Sequence, residues 1–152
     1  GQACTGTSRL IVMAQVKAAF TDKLVTRVKA LKIGSGMTPG TEIGPLATAK
    51  QLQTVLRYIE IGRREARLLC GGEHLTGPDF DRGFYVSPAV FTDVTQDMRI
   101  AREEIFGPVL AIIEATSYAD AIAKANDTEY GLSAAIATSN PRYMHDFARD
   151  IE

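Results

Sequence analysis

The sequence carries little that would bridge, ligate or bind by charge alone. Two cysteines and two histidines are all that its 152 residues offer of those types. Cys4 and Cys70 lie far apart and form no CxxC pair, so neither a disulfide framework nor a zinc site is suggested, and a reducing cytoplasm suits them best. His74 falls in a glycine-rich stretch and His145 on an expected helix face, with no second ligand at metal spacing near either. Both read as solvated surface side chains, and no metal is expected. An excess of one charge is missing too. Seventeen basic residues against eighteen acidic ones give a net charge of -1, with no block of like sign to attract nucleic acid or an anionic membrane. The wholly apolar runs, of which Val109 to Ile113 is among the longest, are far short of the ~20 residues that span a bilayer. The chain opens on Gly1, without the basic and then apolar regions of a signal peptide, and is expected to be a segment of a longer protein.

What is present suits one globular domain, because 45% of the residues are apolar and the length is that of an ordinary domain. Ser8 to Met13 is short and rich in β-branched residues, as a buried strand requires. From Gln15 to Lys32, Val16, Phe20, Leu24, Val28 and Leu31 recur at helical steps. They predict a helix that buries that face and leaves Lys17, Asp22, Lys23, Arg27 and Lys29 to water. The segment from Gly34 to Pro45 holds too many Gly and Pro residues for a regular element. It lacks the GxGxxG spacing of a phosphate-binding loop and follows a helix, so it reads as a connection.

Thr48 is placed to cap a second helix with a face of Ala49, Leu52, Val55, Leu56 and Ile59, and Gly62 lies near its expected stop. Strands are predicted at Arg67–Cys70, Phe84–Phe91 (with Pro88 marking an edge or bulge), Val109–Ile113 and Ser133–Thr138. Helices are predicted around Met98–Arg102, at Ser117–Asn126, and at Pro141–Asp150, where a proline opens the first turn. Strands alternating with helices predict an α/β fold, a three-layer sandwich whose mostly parallel sheet is covered on both faces.

Two segments carry chemistry. Gly1-Gln2-Ala3-Cys4-Thr5-Gly6-Thr7-Ser8-Arg9 reads GQxCxxxxR, which places a cysteine on a glycine-bearing turn. Beside a helix N-terminus such a thiol would gain from unpaired N–H groups that favour the thiolate. Downstream, Arg102 to Val109 reads REEIFGPV. Together these resemble the active-site cysteine motif and the EEIFGPV signature of the aldehyde dehydrogenase family. The resemblance extends through the helix of Gln51 to Ile61, the strand ending LLCGG, YVSPAVF and the segment ANDTEYGL.

The resemblance implies that residues 1–152 are part of that family's catalytic, C-terminal domain. The coenzyme-binding domain would lie upstream of Gly1 and the oligomerisation tail downstream of Glu152. It implies oxidation of a small-molecule aldehyde to a carboxylic acid with NAD or NADP, through a thiohemiacetal and a thioester on Cys4. Glu104 would accept hydrogen bonds from the nicotinamide ribose, Phe106 would pack beside ribose and nicotinamide, and Gln51 would touch the ribose. Gly107 and Pro108 would shape the turn into the next strand, where a larger residue at Gly107 would intrude on the cofactor or distort the backbone. Ala3 and Thr5 would line the substrate pocket, while Glu103 reads as a solvated or helix-end carboxylate and Arg9 as structural.

The general-base glutamate and a second oxyanion donor, an asparagine, would come from upstream of Gly1, so the isolated segment is expected to be inactive. The longer enzyme would be a homodimer or homotetramer. The wording GQACTGTSR is similar to the semialdehyde-oxidising members, such as the α-ketoglutaric semialdehyde dehydrogenases, which implies a carboxylate-bearing aldehyde. Two other readings compete. A cysteine hydrolase or acyltransferase would need His74 or His145 as base, and a non-catalytic binding module would keep the cofactor contacts without the chemistry.

Overall fold

Alternate residues of the two most apolar strands face opposite layers, and that alternation organises the molecule. The computed structural model describes residues 1–152. In chain order the elements are β1 (Arg9–Met13), α1 (Ala14–Lys29), α2 (Ala49–Glu65), β2 (Arg67–Cys70), β3 (His74–Leu75), β4 (Tyr85–Val86), β5 (Ala89–Val94), α3 (Arg99–Arg102), β6 (Val109–Ala115), α4 (Tyr118–Asn126) and α5 (Pro141–Asp150). Four strands form one sheet in the order β1-β6-β5-β2, and β3 pairs with β4 in a separate ribbon. β6 runs parallel to both β1 and β5, whereas β2 is antiparallel to β5 at the edge. The sheet is therefore mostly parallel.

Ala89, Phe91, Val109, Ala111 and Ile113 face one layer and pack with Leu52, Val55, Tyr58 and Ile59 of α2. Val12, Cys70, Val90 and Ile112 face the other, against Leu24, Val25 and Val28 of α1. Helices thus cover both faces, as the alternation predicts. Phe91, Ile112 and Ile113 are almost wholly withdrawn from water, each worth roughly 1.5–3 kcal/mol of transfer free energy.

Local signals set the helix ends. The Thr48 hydroxyl accepts from the Gln51 amide at 3.1 Å and caps α2, Ser117 caps α4 through the Asp120 amide, and Pro141 opens α5.

Five expectations need correction. Ser133–Thr138 forms no strand, and its backbone takes part in no backbone–backbone hydrogen bond; alternation alone cannot hold a strand without a neighbour. Pro88, which has no N–H to pair, divides the predicted Phe84–Phe91 strand into β4 and the start of β5. Gly62 does not end α2, which continues to Glu65. It is the point where the helix lies against the Phe91 ring, so close that a Cβ would meet Cζ at 2.7 Å.

The fourth and fifth corrections concern α1, which ends at Lys29 and not at Lys32. Leu24 and Val28 pack inward as predicted, joined by Val25, but Val16 and Phe20 nearer the N-terminus of the helix stay exposed at 53% and 39%. Lys17 is not left to water. Its ammonium joins Asp93 and Glu114 at 3.1 Å each. Asp93, at φ 61°, occupies the left-handed region where β5 is bulged against β6, a conformation that Asp tolerates better than most residues.

Candidate active site

The two chemical segments meet through glycine backbone. A Cβ on Gly1 would lie 2.0 Å from the Gly107 carbonyl oxygen and 2.8 Å from the Pro108 nitrogen. The side-chain oxygen of Gln2 accepts from the Ala47 amide at 2.9 Å and ties the same segment to the approach to α2. Cys4 and Glu104 each lie three residues from this contact, a reach of at most about 11 Å along extended chain.

Cys4 sits in a turn closed by the Gly6 amide on the Ala3 carbonyl at 2.8 Å. No helix begins there, because the turn leads into β1, and α1 starts only at Ala14. The expected helix N-terminus beside the thiol is thus replaced by turn backbone. Cys4 is exposed, as are Ala3 and Thr5, and the Cys4 amide makes no hydrogen bond within the chain. An unused N–H next to a sulfur is a ready donor to an oxyanion formed on that sulfur's substrate. Cys70 is the contrary case. It is buried among Val12, Val90 and Ile112, and burial pushes its thiol above the ordinary value.

Residues 103–108 form the loop from α3 into β6. Ile105 is buried in the core at 6%, while Glu104 and Phe106 on either side of it are exposed. That is the alternation expected of extended chain with its middle residue anchored. No protein group hydrogen-bonds the Glu104 carboxylate, which leaves an acceptor-only group open to a hydroxyl-bearing ligand. Phe106 has φ 53°, a left-handed conformation that costs a bulky residue roughly 1–3 kcal/mol and persists only when its surroundings impose it.

Gln51 supplies part of that imposition, since its amide nitrogen donates to the Ile105 carbonyl at 2.8 Å and the Phe106 carbonyl at 3.0 Å. The sequence offers no signal for this contact. Gly107 is required by packing against the protein itself, because a Cβ there would lie 2.3 Å from Val55 Cγ2.

Glu103 is a partly exposed helix-end carboxylate, as expected, but it has partners that the sequence does not announce. It caps the C-terminus of α3, pairs with Arg99 Nε at 2.6 Å and accepts the Tyr58 hydroxyl. These partners, the Arg99 guanidinium first, hold its pKa down to about 2. Arg9 is structural, as expected. Its guanidinium donates to the Lys124 and Ala125 carbonyls at the end of α4, where a cation meets the negative end of the helix. His74 and His145 are exposed, and neither hydrogen-bonds to Cys4.

A family model described as the aldehyde dehydrogenase family matches residues 1–152. The crystal structure of HpcC from Thermus thermophilus is similar at 44% identity and a TM-score of 0.95, over 100% of this chain and 30% of that one. A 1-pyrroline-5-carboxylate dehydrogenase from Thermus with bound NAD matches at 37% identity and a TM-score of 0.89, over 99% and 28% of the two chains. A betaine aldehyde dehydrogenase from Staphylococcus aureus, in complex with NAD+ and with a BME-modified cysteine, matches at 31% identity and a TM-score of 0.95, over 99% and 31%. This chain therefore spans about three tenths of the length of these relatives. No helix in it is long and apolar enough to cross a membrane.

Proposed function

The chain belongs to the aldehyde dehydrogenase family, and from that we propose that it supplies the nucleophile and part of the nicotinamide-side surface of an enzyme oxidising an aldehyde to a carboxylic acid. The observation that carries this reading is the Gly1–Gly107 contact, from which the Cys4 turn and the Glu104–Phe106 loop both extend.

The Cys4 thiolate attacks the aldehyde carbon. A C–S bond forms, the carbonyl electron pair moves to oxygen, and the free Cys4 amide donates to that oxyanion. NAD or NADP, when bound beside Glu104 and Phe106, would supply the acceptor for the hydride lost from the same carbon. Cys4 is left carrying a thioester, which water cleaves to the acid and the free thiol. Glu104 fits the cofactor as an unpartnered acceptor for ribose hydroxyls, and Phe106 offers a half-exposed ring against which ribose and nicotinamide can pack. The glutamate that activates water and the asparagine that completes the oxyanion site belong to the enzyme upstream of Gly1, so this segment works within a longer, homodimeric or homotetrameric protein.

Ala3 and Thr5 flank the sulfur with small side chains, which leave room for substrate without supplying a charge. A semialdehyde such as α-ketoglutaric semialdehyde is the substrate class that the wording of the cysteine motif favours, with groups outside residues 1–152 holding its carboxylate.

Incubating the full-length enzyme with aldehyde and NAD+ and mapping acyl adducts by mass spectrometry tests the reading. The acyl mass belongs on the peptide containing Cys4, and Cys4→Ser abolishes aldehyde-dependent NADH formation. An adduct on Cys70, or undiminished turnover by Cys4→Ser, would overturn it.

A further inference from the structure

One helix grips the loop of residues 103–108 along its length. Gln51, Val55 and Tyr58 stand at successive turns of α2, four and then three residues apart, and so form one stripe on its surface. Tyr58 donates its hydroxyl to the Glu103 carboxylate. Val55, wholly buried, closes on Gly107 so tightly that no Cβ fits there. Gln51 spans the gap between these two fixed points, and both hydrogens of its amide nitrogen are committed, one to the Ile105 carbonyl and one to the Phe106 carbonyl. Glu104, between the grips, has no partner of its own.

We propose that Gln51 is a positioning residue. It holds the two carbonyls that force Phe106 into its left-handed backbone, and through them it presents the Glu104 carboxylate and the Phe106 ring together toward the cofactor. The amide nitrogen has no hydrogen left for a ligand, so Gln51 acts through the loop, while its side-chain oxygen stays free as an acceptor. Removing the clamp lets Phe106 relax toward an ordinary φ, which swings Glu104 away from its presented position. What the loop presents to rests on the aldehyde dehydrogenase reading above; the clamp itself does not.

The test replaces Gln51 by Met, of similar volume but without donors, and by Asn, too short to reach both carbonyls, in the full-length enzyme. Hydrogen exchange over residues 103–109 reads the clamp, and the single-turnover rate of NADH formation reads its consequence. In Gln51→Met, exchange of this segment becomes roughly tenfold faster while the rest of α2 is unchanged, the order expected when ordinary hydrogen bonds are lost. The hydride step slows by a similar factor with the aldehyde KM unaltered, and Gln51→Asn falls between Met and wild type in both readouts.

Should Gln51→Met fail to fold, the comparison of Asn with wild type decides. Unchanged exchange overturns the clamp, and faster exchange with an unchanged hydride step overturns positioning in favour of a purely structural role. A wild-type enzyme that oxidises no aldehyde would refute the functional reading separately, with the exchange result still deciding whether Gln51 holds the loop.

Discussion

Gly1 and Gly107 touch backbone to backbone, with room for no Cβ on Gly1, since that atom would fall 2.0 Å from the Gly107 carbonyl oxygen. The contact joins the segment that carries Cys4, the proposed nucleophile, to the segment that carries the unpartnered Glu104 carboxylate.

Gly1→Ala in the full-length enzyme should therefore lower turnover. The chain must move by an ångström or more at the junction, and misplacement of that size costs up to about a hundredfold in rate. The expected kcat is at least roughly tenfold lower. A kcat equal to wild type would show that the junction does not set the geometry.

Gly107→Ala should act on the fold itself. Its new methyl collides with Val55, a wholly buried residue, and overpacking of this kind costs about 1–3 kcal/mol. Val55→Ala alone is destabilising because it leaves a cavity, yet in the double variant it makes space for the methyl. Urea denaturation of the four proteins should give a double variant more stable than the sum of the single losses predicts. Additive losses would mean that the two positions do not compete for the same space.

Cys4 and Cys70 should separate cleanly in thiol labelling. Iodoacetamide reacts with exposed thiolate, and Cys4 is exposed while Cys70 is buried with its thiol pushed up. In the folded protein near pH 7.5, peptide mapping should find Cys4 alkylated at least roughly tenfold faster. Equal labelling would remove the distinction on which the nucleophile assignment leans.

The Glu103 clamp predicts part of the acid response. Its carboxyl titrates at about 2 in the folded chain, below its ordinary 4.5. A depressed folded pKa contributes stability that is complete above pH 4.5 and is lost as pH falls from there through 2. Glu103 is 39% exposed, so screening leaves about 1 kcal/mol at neutral pH and not the full value of the shift. Glu103→Gln should be less stable than wild type by that amount at pH 7 and should converge with it toward pH 2, as followed by urea titrations. A constant difference across the range would assign the effect to packing and not to charge.

Much of this was legible in the sequence. The apolar runs at Leu10–Met13 and Val109–Ile113 admit one reading, and Thr48, Ser117 and Pro141 announce their helices by residue type. The exposure of Val16 and Phe20 was not legible, because they share a helical face with Leu24 and Val28, and residue type does not show that the sheet covers only the later part of that face. Nor was the role of Glu103, whose partners Tyr58 and Arg99 come from two different helices. The Cys4 motif was readable as a pattern, but its setting as a turn without an adjoining helix depends on backbone geometry that residue types do not encode.

Residues 1–152 expressed alone should fold but not turn over. The core is built within the chain, with α1 and α2 covering opposite faces of a sheet whose central strands are almost wholly buried, so circular dichroism should show a mixed α/β protein with a cooperative melt. Turnover should be absent with either NAD or NADP, because the proposed mechanism draws its general base and second oxyanion donor from upstream. The surface should also self-associate. Val16, Leu132 and Met144 stand 53%, 67% and 53% exposed, and apolar side chains displayed in number favour contact between copies. Sedimentation should show reversible, concentration-dependent association that Val16→Lys and Leu132→Lys weaken. Aldehyde oxidation well above background would locate the base and the oxyanion donor inside these residues, contrary to the mechanism proposed for Cys4.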